Sequence, residues 1–174
     1  MTRRRLWSLL LPVVALVLGA CCGRTTFTPG FWNDGGQVQF HNNCYNYSND
    51  HRTDTFAQPG RRAGAMYASL TCTAVLAAAT ADGIPRLPAS GACPSGREKI
   101  ALVVAPGWDY HWYRQDLNGM WTHKPGGTPA TNLDNSAHPI SNPETANRGP
   151  YTDFCGYFCS CSSSTEGSGH ENIN

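Results

Sequence analysis

The chain has 174 residues and a near-balanced charge, 13 Lys+Arg against 12 Asp+Glu for a formal net of +1. It carries no basic stripe, which argues against a nucleic-acid partner, and its length suits one domain around one core. Its 8 cysteines point to an oxidising compartment.

At the N-terminus Arg3, Arg4 and Arg5 precede an apolar run from Leu6 to Leu18, and Leu18-Gly19-Ala20 leads into Cys21. A short apolar stretch with a small-residue exit reads as a secretory signal over residues 1–20 and is too short to be a spanning helix. The Leu-Gly-Ala-Cys ending resembles a bacterial lipobox, which implies lipidation of Cys21 and membrane contact through that anchor alone. Ordinary cleavage near Ala20 is the alternative. Losing this segment removes three arginines and no acidic residue, so the exported chain is slightly acidic. Residues 21–36, rich in Thr, Gly and Pro, read as a tether and 37–159 as the domain. Residues 160–174 read as a polar, low-complexity, disordered tail.

Gln37-Val38-Gln39-Phe40 alternates polar and apolar residues and predicts a short strand. Asn42 and Asn43 are favoured N-cap residues and place Cys44 in the first turn of a short helix ending before Gln58-Pro59-Gly60. The alanine-rich segment from Ala63 to Ala81 predicts a helix with Met66, Leu70, Val75 and Leu76 as its core stripe, stopped by Gly83 and Pro85. Ile100-Ala101-Leu102-Val103-Val104 predicts a central strand buried on both faces. Trp108 to Gln115 predicts a second strand with His111, Tyr113 and Gln115 on one face. Asn118-Gly119 supplies a hairpin turn, and Met120 to His123 returns with Trp121 and His123 on one face. If the two faces coincide, both imidazoles project together. Thr128 to Pro150 reads as a polar loop with a turn at Asn132–Asn135, and Tyr151 to Tyr157 as an aromatic return onto the core. The expected fold class is α+β, with helices carrying Cys44 packed on an antiparallel sheet.

Cys44 is the residue best placed to carry chemistry. Backbone N–H groups and the helix dipole favour a thiolate in a first helical turn, below the ordinary thiol pKa of about 8.5. His111 can act as base, with His123, Asp109 or Asp116 orienting it. Asn42 and Asn43 could face a developing oxyanion, but as caps they already have a structural use. Trp108, Trp112, Tyr113 and Trp121 read as core aromatics in preference to a sugar-stacking surface. Among the other cysteines, Cys72 and Cys93 bracket one helix-to-strand connection and form the preferred disulfide. Cys155, Cys159 and Cys161 read as disulfide partners, because no second ligand pair accompanies them to hold zinc. The reading calls for no metal and no cofactor.

A helix-start cysteine, a helix, a strand histidine and a polar residue on the adjacent strand are together similar to the NlpC/P60 branch of the papain-like superfamily, over roughly residues 37–126. That family's Asp-Cys-Ser-Gly-like box is Asn43-Cys44-Tyr45-Asn46 here. The resemblance implies a papain-like fold with Cys44 as nucleophile, His111 as base and His123 as orienting residue. It implies an exported cysteine peptidase or amidase, cleaving amide bonds in a peptide or peptidoglycan-type substrate of the bacterial cell wall. Two other classes stay open: a non-enzymatic, disulfide-stapled exported binding or structural lipoprotein, and a Cys–His acyltransferase or toxin.

Overall fold

The computed structural model describes residues 25–88 and 91–161; the signal segment, Cys21, Cys22 and residues 162–174 lie outside them. Four strands, β1 (Arg97–Ala105), β2 (Asp109–Gln115), β3 (Trp121–His123) and β4 (Asp153–Cys161), form one antiparallel sheet in the order β3-β2-β1-β4. Four short helices accompany it: α1 (Pro29–Trp32), α2 (Gln37–His41), α3 (Cys44–Ser48) and α4 (Cys72–Ala81). The fold is α+β.

Strand β1 lies between β2 and β4, and its apolar run serves two cores. Ile100, Leu102 and Val104 pack with Tyr45 of α3, Val75 and Ala79 of α4, and Tyr110, Trp112 and Phe158 of the flanking strands. Ala101 and Val103 point the other way, against Tyr113, Trp121 and Ile140, with Tyr151, Phe154 and Tyr157 closing over them. Alternate side chains of a strand face opposite sides, so a run with no polar interruption requires a layer on each face. The second layer is the polar segment between β3 and β4, which is anchored by isolated pairings Trp121↔Ile140 and His123↔Thr131. The β2–β3 hairpin turns at Asn118-Gly119, where Gly119 adopts φ +83°, a conformation that glycine tolerates at no steric cost.

Several local expectations are corrected. Gln37–Phe40 is helical because Asp34 accepts from the amides of Gly36, Val38 and Gln39, so a local carboxylate outweighs a four-residue alternation. Helix α4 starts only at Cys72, with Thr71 Oγ1 accepting from the Ala74 amide. The chain before it turns back at Gly60, whose φ is +78° and where a Cβ would lie 2.2 Å from the Ala65 carbonyl oxygen; Met66 is exposed instead of joining the core. Within the segment read as a tether, Trp32 is fully buried against Tyr47 and Ala130. Asn33 clamps Ala130 through both its amide and its carbonyl. Ser160, read as the start of the tail, is buried in β4.

The expected Cys72–Cys93 bridge does not form. Cys72 is bonded to Cys155 and Cys93 to Cys159, across sequence separations of 83 and 66, and Cys161 is disulfide-bonded as well. Strand β4 pairs with β1 in the register Lys99↔Cys159, and Cys155 occupies the irregularity between Leu102↔Gly156 and Val103↔Phe154. That placement carries both β4 sulfurs beside elements distant in sequence. Loop closure becomes costlier only slowly with length, so nearness in sequence is a weak guide to pairing.

Beneath the hairpin end of the sheet, Arg114 is fully buried among three carboxylates. Its Nη1 lies 2.9 Å from Asp50 Oδ1, and its Nε is 3.5 Å from Glu98 and 3.4 Å from Asp116. Glu98 also accepts from the amide and hydroxyl of Thr25. Burial pushes the Glu98 carboxyl up to about 7 against the opposing pull of Arg114. A raised folded-state pKa means the folded protein holds the proton more tightly, so this stabilisation is complete below about pH 4.5 and is lost as pH rises through 7. Glu98→Gln should therefore remove a component of roughly 2–3 kcal/mol from the pH dependence between those limits. Denaturant melts of both proteins at pH 4.5, 6 and 7.5 check this, and parallel curves would refute it.

Candidate functional site

Helix α3 is short and wholly buried, and its start is fixed by a reciprocal cap. Asn43 Oδ1 accepts from the amides of Tyr45 and Asn46 at 3.0 and 3.1 Å, and Asn46 Oδ1 accepts from the Asn43 amide at 3.0 Å. Lys124, buried just past β3, donates to the carbonyls of Gln39, Asn42 and Gly126 at 2.5, 2.6 and 2.8 Å. It thereby ties the chain entering α3 to the end of the hairpin. Strand β3 pairs with β2 only as far as Tyr113↔His123, and Cys44 packs with Tyr110 and Trp112 beside that end of the pairing. The thiol thus sits where the sheet edge becomes free.

Cys44 and His111 line one cavity of about 380 Å³ together with Phe56, Tyr67, Trp108 and Tyr151. Trp108 is 66% exposed and stacks on Tyr151 with ring centroids 6.3 Å apart, so this tryptophan belongs to the cavity mouth and not to the core. The polar groups of the wall are mostly engaged with one another. Tyr67 and Tyr110 both donate to Gln58 Oε1, at 2.8 and 2.9 Å. Asp109 accepts from the Tyr110 amide and the Tyr151 hydroxyl, at 2.8 and 2.7 Å. Asn43 Nδ2 donates to the Ala57 carbonyl.

The two imidazoles form a directed chain. His111 Nε2 and His123 Nδ1 are 2.7 Å apart, and His123 Nε2 is 3.0 Å from the Leu133 carbonyl oxygen. A carbonyl only accepts, so His123 carries its proton on Nε2. Burial holds both rings below the usual histidine range, and His123 adds to the effect at His111, so both are neutral near pH 7. A neutral His123 then has an unprotonated Nδ1, which must accept from Nε2–H of His111. By elimination the lone pair of His111 is on Nδ1. Leu133 is set in place by the turn across Asn132–Asn135, where its amide donates to Thr131 Oγ1 and Leu133 pairs with Pro139.

Cys44 differs from its expectation. Burial pushes the thiol up to about 12, outweighing the amides of Trp112, Cys44 and Tyr45 and reinforced by the Asp109 charge. A five-residue buried helix does not offset the loss of water around a thiolate. Among the described residues Cys44 is the free thiol. The alternatives for orienting His111 separate by position. Asp109 is held by Tyr151, Asp116 lies against Arg114, and His123 touches His111. Asn43 spends its side chain on backbone groups, and Asn42 spends its own on backbone groups and the Asp54 carboxylate. The Leu133 carbonyl, Lys124 and Tyr151 escaped sequence reasoning. Only the Asn132–Asn135 turn signal hinted at the first.

Comparison with known proteins corrects the family and the function. The chain is 50% identical over 134 residues to insoluble matrix shell protein 1 of Ruditapes philippinarum, covering 76% of this chain and 88% of that protein. No family model matches it, and no solved structure matches it. The NlpC/P60 resemblance, the exported cysteine hydrolase acting on cell-wall peptides and the lipoprotein anchor of a bacterial envelope are all overturned by a relative of this kind and by the lack of a family match. A helix-start cysteine followed by strand histidines describes an arrangement of side chains, and an arrangement alone does not carry ancestry.

Two outcomes follow from this geometry. Alkylation of native Cys44 by iodoacetamide should keep accelerating above pH 8.5, without the plateau near neutrality that a preformed thiolate gives; rates measured from pH 6 to 10 check it. His123→Ala should strand the Nε2–H of His111 and cost about 1–3 kcal/mol of stability. Because depressed histidine pKa values stabilise above about pH 6.5 and lose that contribution as pH falls, the variant should also unfold less steeply in acid than the parent. An unchanged acid limb in thermal melts would refute the paired-imidazole account.

Proposed function

Since the chain belongs to the family of insoluble matrix shell protein 1 of Ruditapes philippinarum, we propose that it is an exported, disulfide-stapled structural protein of an extracellular shell matrix. The kinship carries the reading, and the chemistry of the fold supports it. A secretory N-terminus leads into a domain whose last strand is covalently tied to α4 by Cys72–Cys155 and to the loop before β1 by Cys93–Cys159. Bridges closing loops of this length restrict the unfolded chain by roughly 4–5 kcal/mol each in the loop-entropy account, and they persist where the surroundings are oxidising. A domain in a deposited matrix must hold its shape without renewal, which cross-links to its final strand favour.

The test is fractionation. Extracellular matrix from the source organism, extracted stepwise, should yield peptides of this chain lacking residues 1–20 in the insoluble fraction, and recovery solely from cells would defeat the reading. In purified protein, the Cys72→Ala/Cys155→Ala pair should lower stability by roughly 2–5 kcal/mol, measured by denaturant unfolding without reductant. A loss under about 0.5 kcal/mol would mean that this bridge does not support the fold.

A further inference from the structure

The cavity with Trp108 at its mouth has a one-sided chemistry that a structural role leaves unused. Among the described residues its wall holds the Asp109 carboxylate and neither a lysine nor an arginine, and the buried imidazole of His111 is neutral. The ion pairs among the described residues gather on Arg114, and none includes Asp109. We propose that this cavity is a recognition site for a primary alkylammonium group, the chemistry shared by a lysine side chain of a neighbouring chain and a small free amine.

Hydrogen-bond direction turns the wall into a set of acceptors. Tyr67 and Tyr110 spend their hydroxyl hydrogens on Gln58 Oε1, and Tyr151 spends its own on Asp109 Oδ2. Gln58 is fixed in this sense because its Nε2 donates to the Phe56 carbonyl, and Asn43 Nδ2 likewise donates to the Ala57 carbonyl. The three phenols keep only oxygen lone pairs to offer. Each Asp109 oxygen has taken one donor, the Tyr110 amide or the Tyr151 hydroxyl, and can take another. Such a set repels an anion and is satisfied by a donor-rich cation. The same accounting separates the two common cationic side chains. A guanidinium grips a carboxylate through two parallel N–H groups, and at Asp109 a lone pair on each oxygen is already occupied. An ammonium is a point charge that can bond one oxygen at a time.

Aromatic rings supply the remaining contacts. Trp108 and Tyr151 stack at the mouth, Tyr67 and Tyr110 meet edge to face with centroids 5.5 Å apart, and Phe56 stays 40% exposed. Phe56 keeps that position at φ +55°, a left-handed conformation that a bulky residue seldom adopts. Its amide is anchored 2.8 Å from the His41 carbonyl oxygen. Ring faces attract a cation and cover the methylenes behind it, and walls of low polarity focus the field of Asp109 into the cavity. The volume of about 380 Å³ falls within the range of small-ligand sites, about 300–1,000 Å³. The inference stands on this cavity alone and does not depend on where the protein accumulates.

Isothermal titration calorimetry of the purified exported chain, with end-blocked amino acids as probes, tests the site. N-acetyl-lysine N-methylamide should bind at a single site with a Kd of about 1 mM or below. The norleucine counterpart, which has the stem without the ammonium, and the arginine counterpart should each bind at least about tenfold more weakly. Asp109→Asn, which keeps the shape of the side chain, and Trp108→Ala, which truncates a mostly exposed ring, should each weaken lysine binding by about tenfold. Melting curves establish that both variants are folded; should Asp109→Asn fail to fold, Trp108→Ala and the norleucine probe carry the test. n-Butylammonium chloride separates the sources: binding weaker than that of an end-blocked lysine tetrapeptide marks a polypeptide ligand, and tighter binding marks a free amine. No saturation by about 10 mM lysine probe, equal affinity for the norleucine probe, a preference for arginine, or full affinity in folded Asp109→Asn would each overturn the proposal.

Discussion

Strand β1 is buried on both faces, and the remaining architecture answers that constraint. Five consecutive apolar residues cannot present a wet side, so one face acquires α3 and α4 and the other acquires the segment between β3 and β4. The Cys72–Cys155 and Cys93–Cys159 bridges then fall on β4, the strand that completes the flank of β1 opposite the hairpin. The outer layer is poor in regular structure and is held by isolated pairings, by Arg148 donating to the carbonyls of Pro143, Glu144, Tyr151 and Thr152, and by Asp134 accepting three backbone amides. Such a layer can be polar in sequence and still shield Ala101 and Val103.

Two buried cations join the helices to the hairpin. Arg114 bonds to Asp50, to the Tyr47 carbonyl and to the Tyr47 hydroxyl, and its guanidinium lies 4.3 Å from that ring. Lys124 caps the carbonyls leading into α3. Neither contact contributes much net stability, because removing charge from water offsets most of the attraction. Their value is positional: breaking either would leave a buried charge without partners, so α3 cannot slide along the sheet. Cys44 inherits its place from that restraint. The same burial gives the protein opposing pH responses, with Glu98 favouring the acid side and the paired imidazoles the neutral side.

A chain of matrix-protein kinship that keeps one thiol apart from its disulfides is chemically coherent. Cys44 is buried and neutral, so it exchanges poorly with disulfides that need a thiolate to attack them. The paired imidazoles that contributed to the peptidase reading are real as geometry, while the family and substrate inferred from that reading are not. Side chains at the start of a helix and along a hairpin recur on unrelated proteins. Kinship came from half-identity along most of the chain, which no short constellation can replace.

Local patterns of one period were legible without coordinates. The apolar run of β1 and the Asn-Gly hairpin marked three strands, β1, β2 and β3. Asn43 marked the start of α3, while strand alternation left the shared face of His111 and His123 conditional on the hairpin register, which Tyr113↔His123 decides. Where the outcome hung on one neighbouring side chain, sequence failed: Asp34 turned an alternating stretch into α2, and Gly60 with Thr71 shortened α4. Disulfide partners were undecidable because β4 arrives beside β1 from far along the chain, and closure entropy hardly distinguishes near from distant cysteines. The state of the site was likewise settled only by tertiary contacts. Desolvation of Cys44 depends on what surrounds it, and the lone pair of His111 depends on a carbonyl at Leu133 that sequence places in an unremarkable loop. Composition and periodicity determine which residues must be buried; only the packed chain determines what they are buried against, and that decides their chemistry.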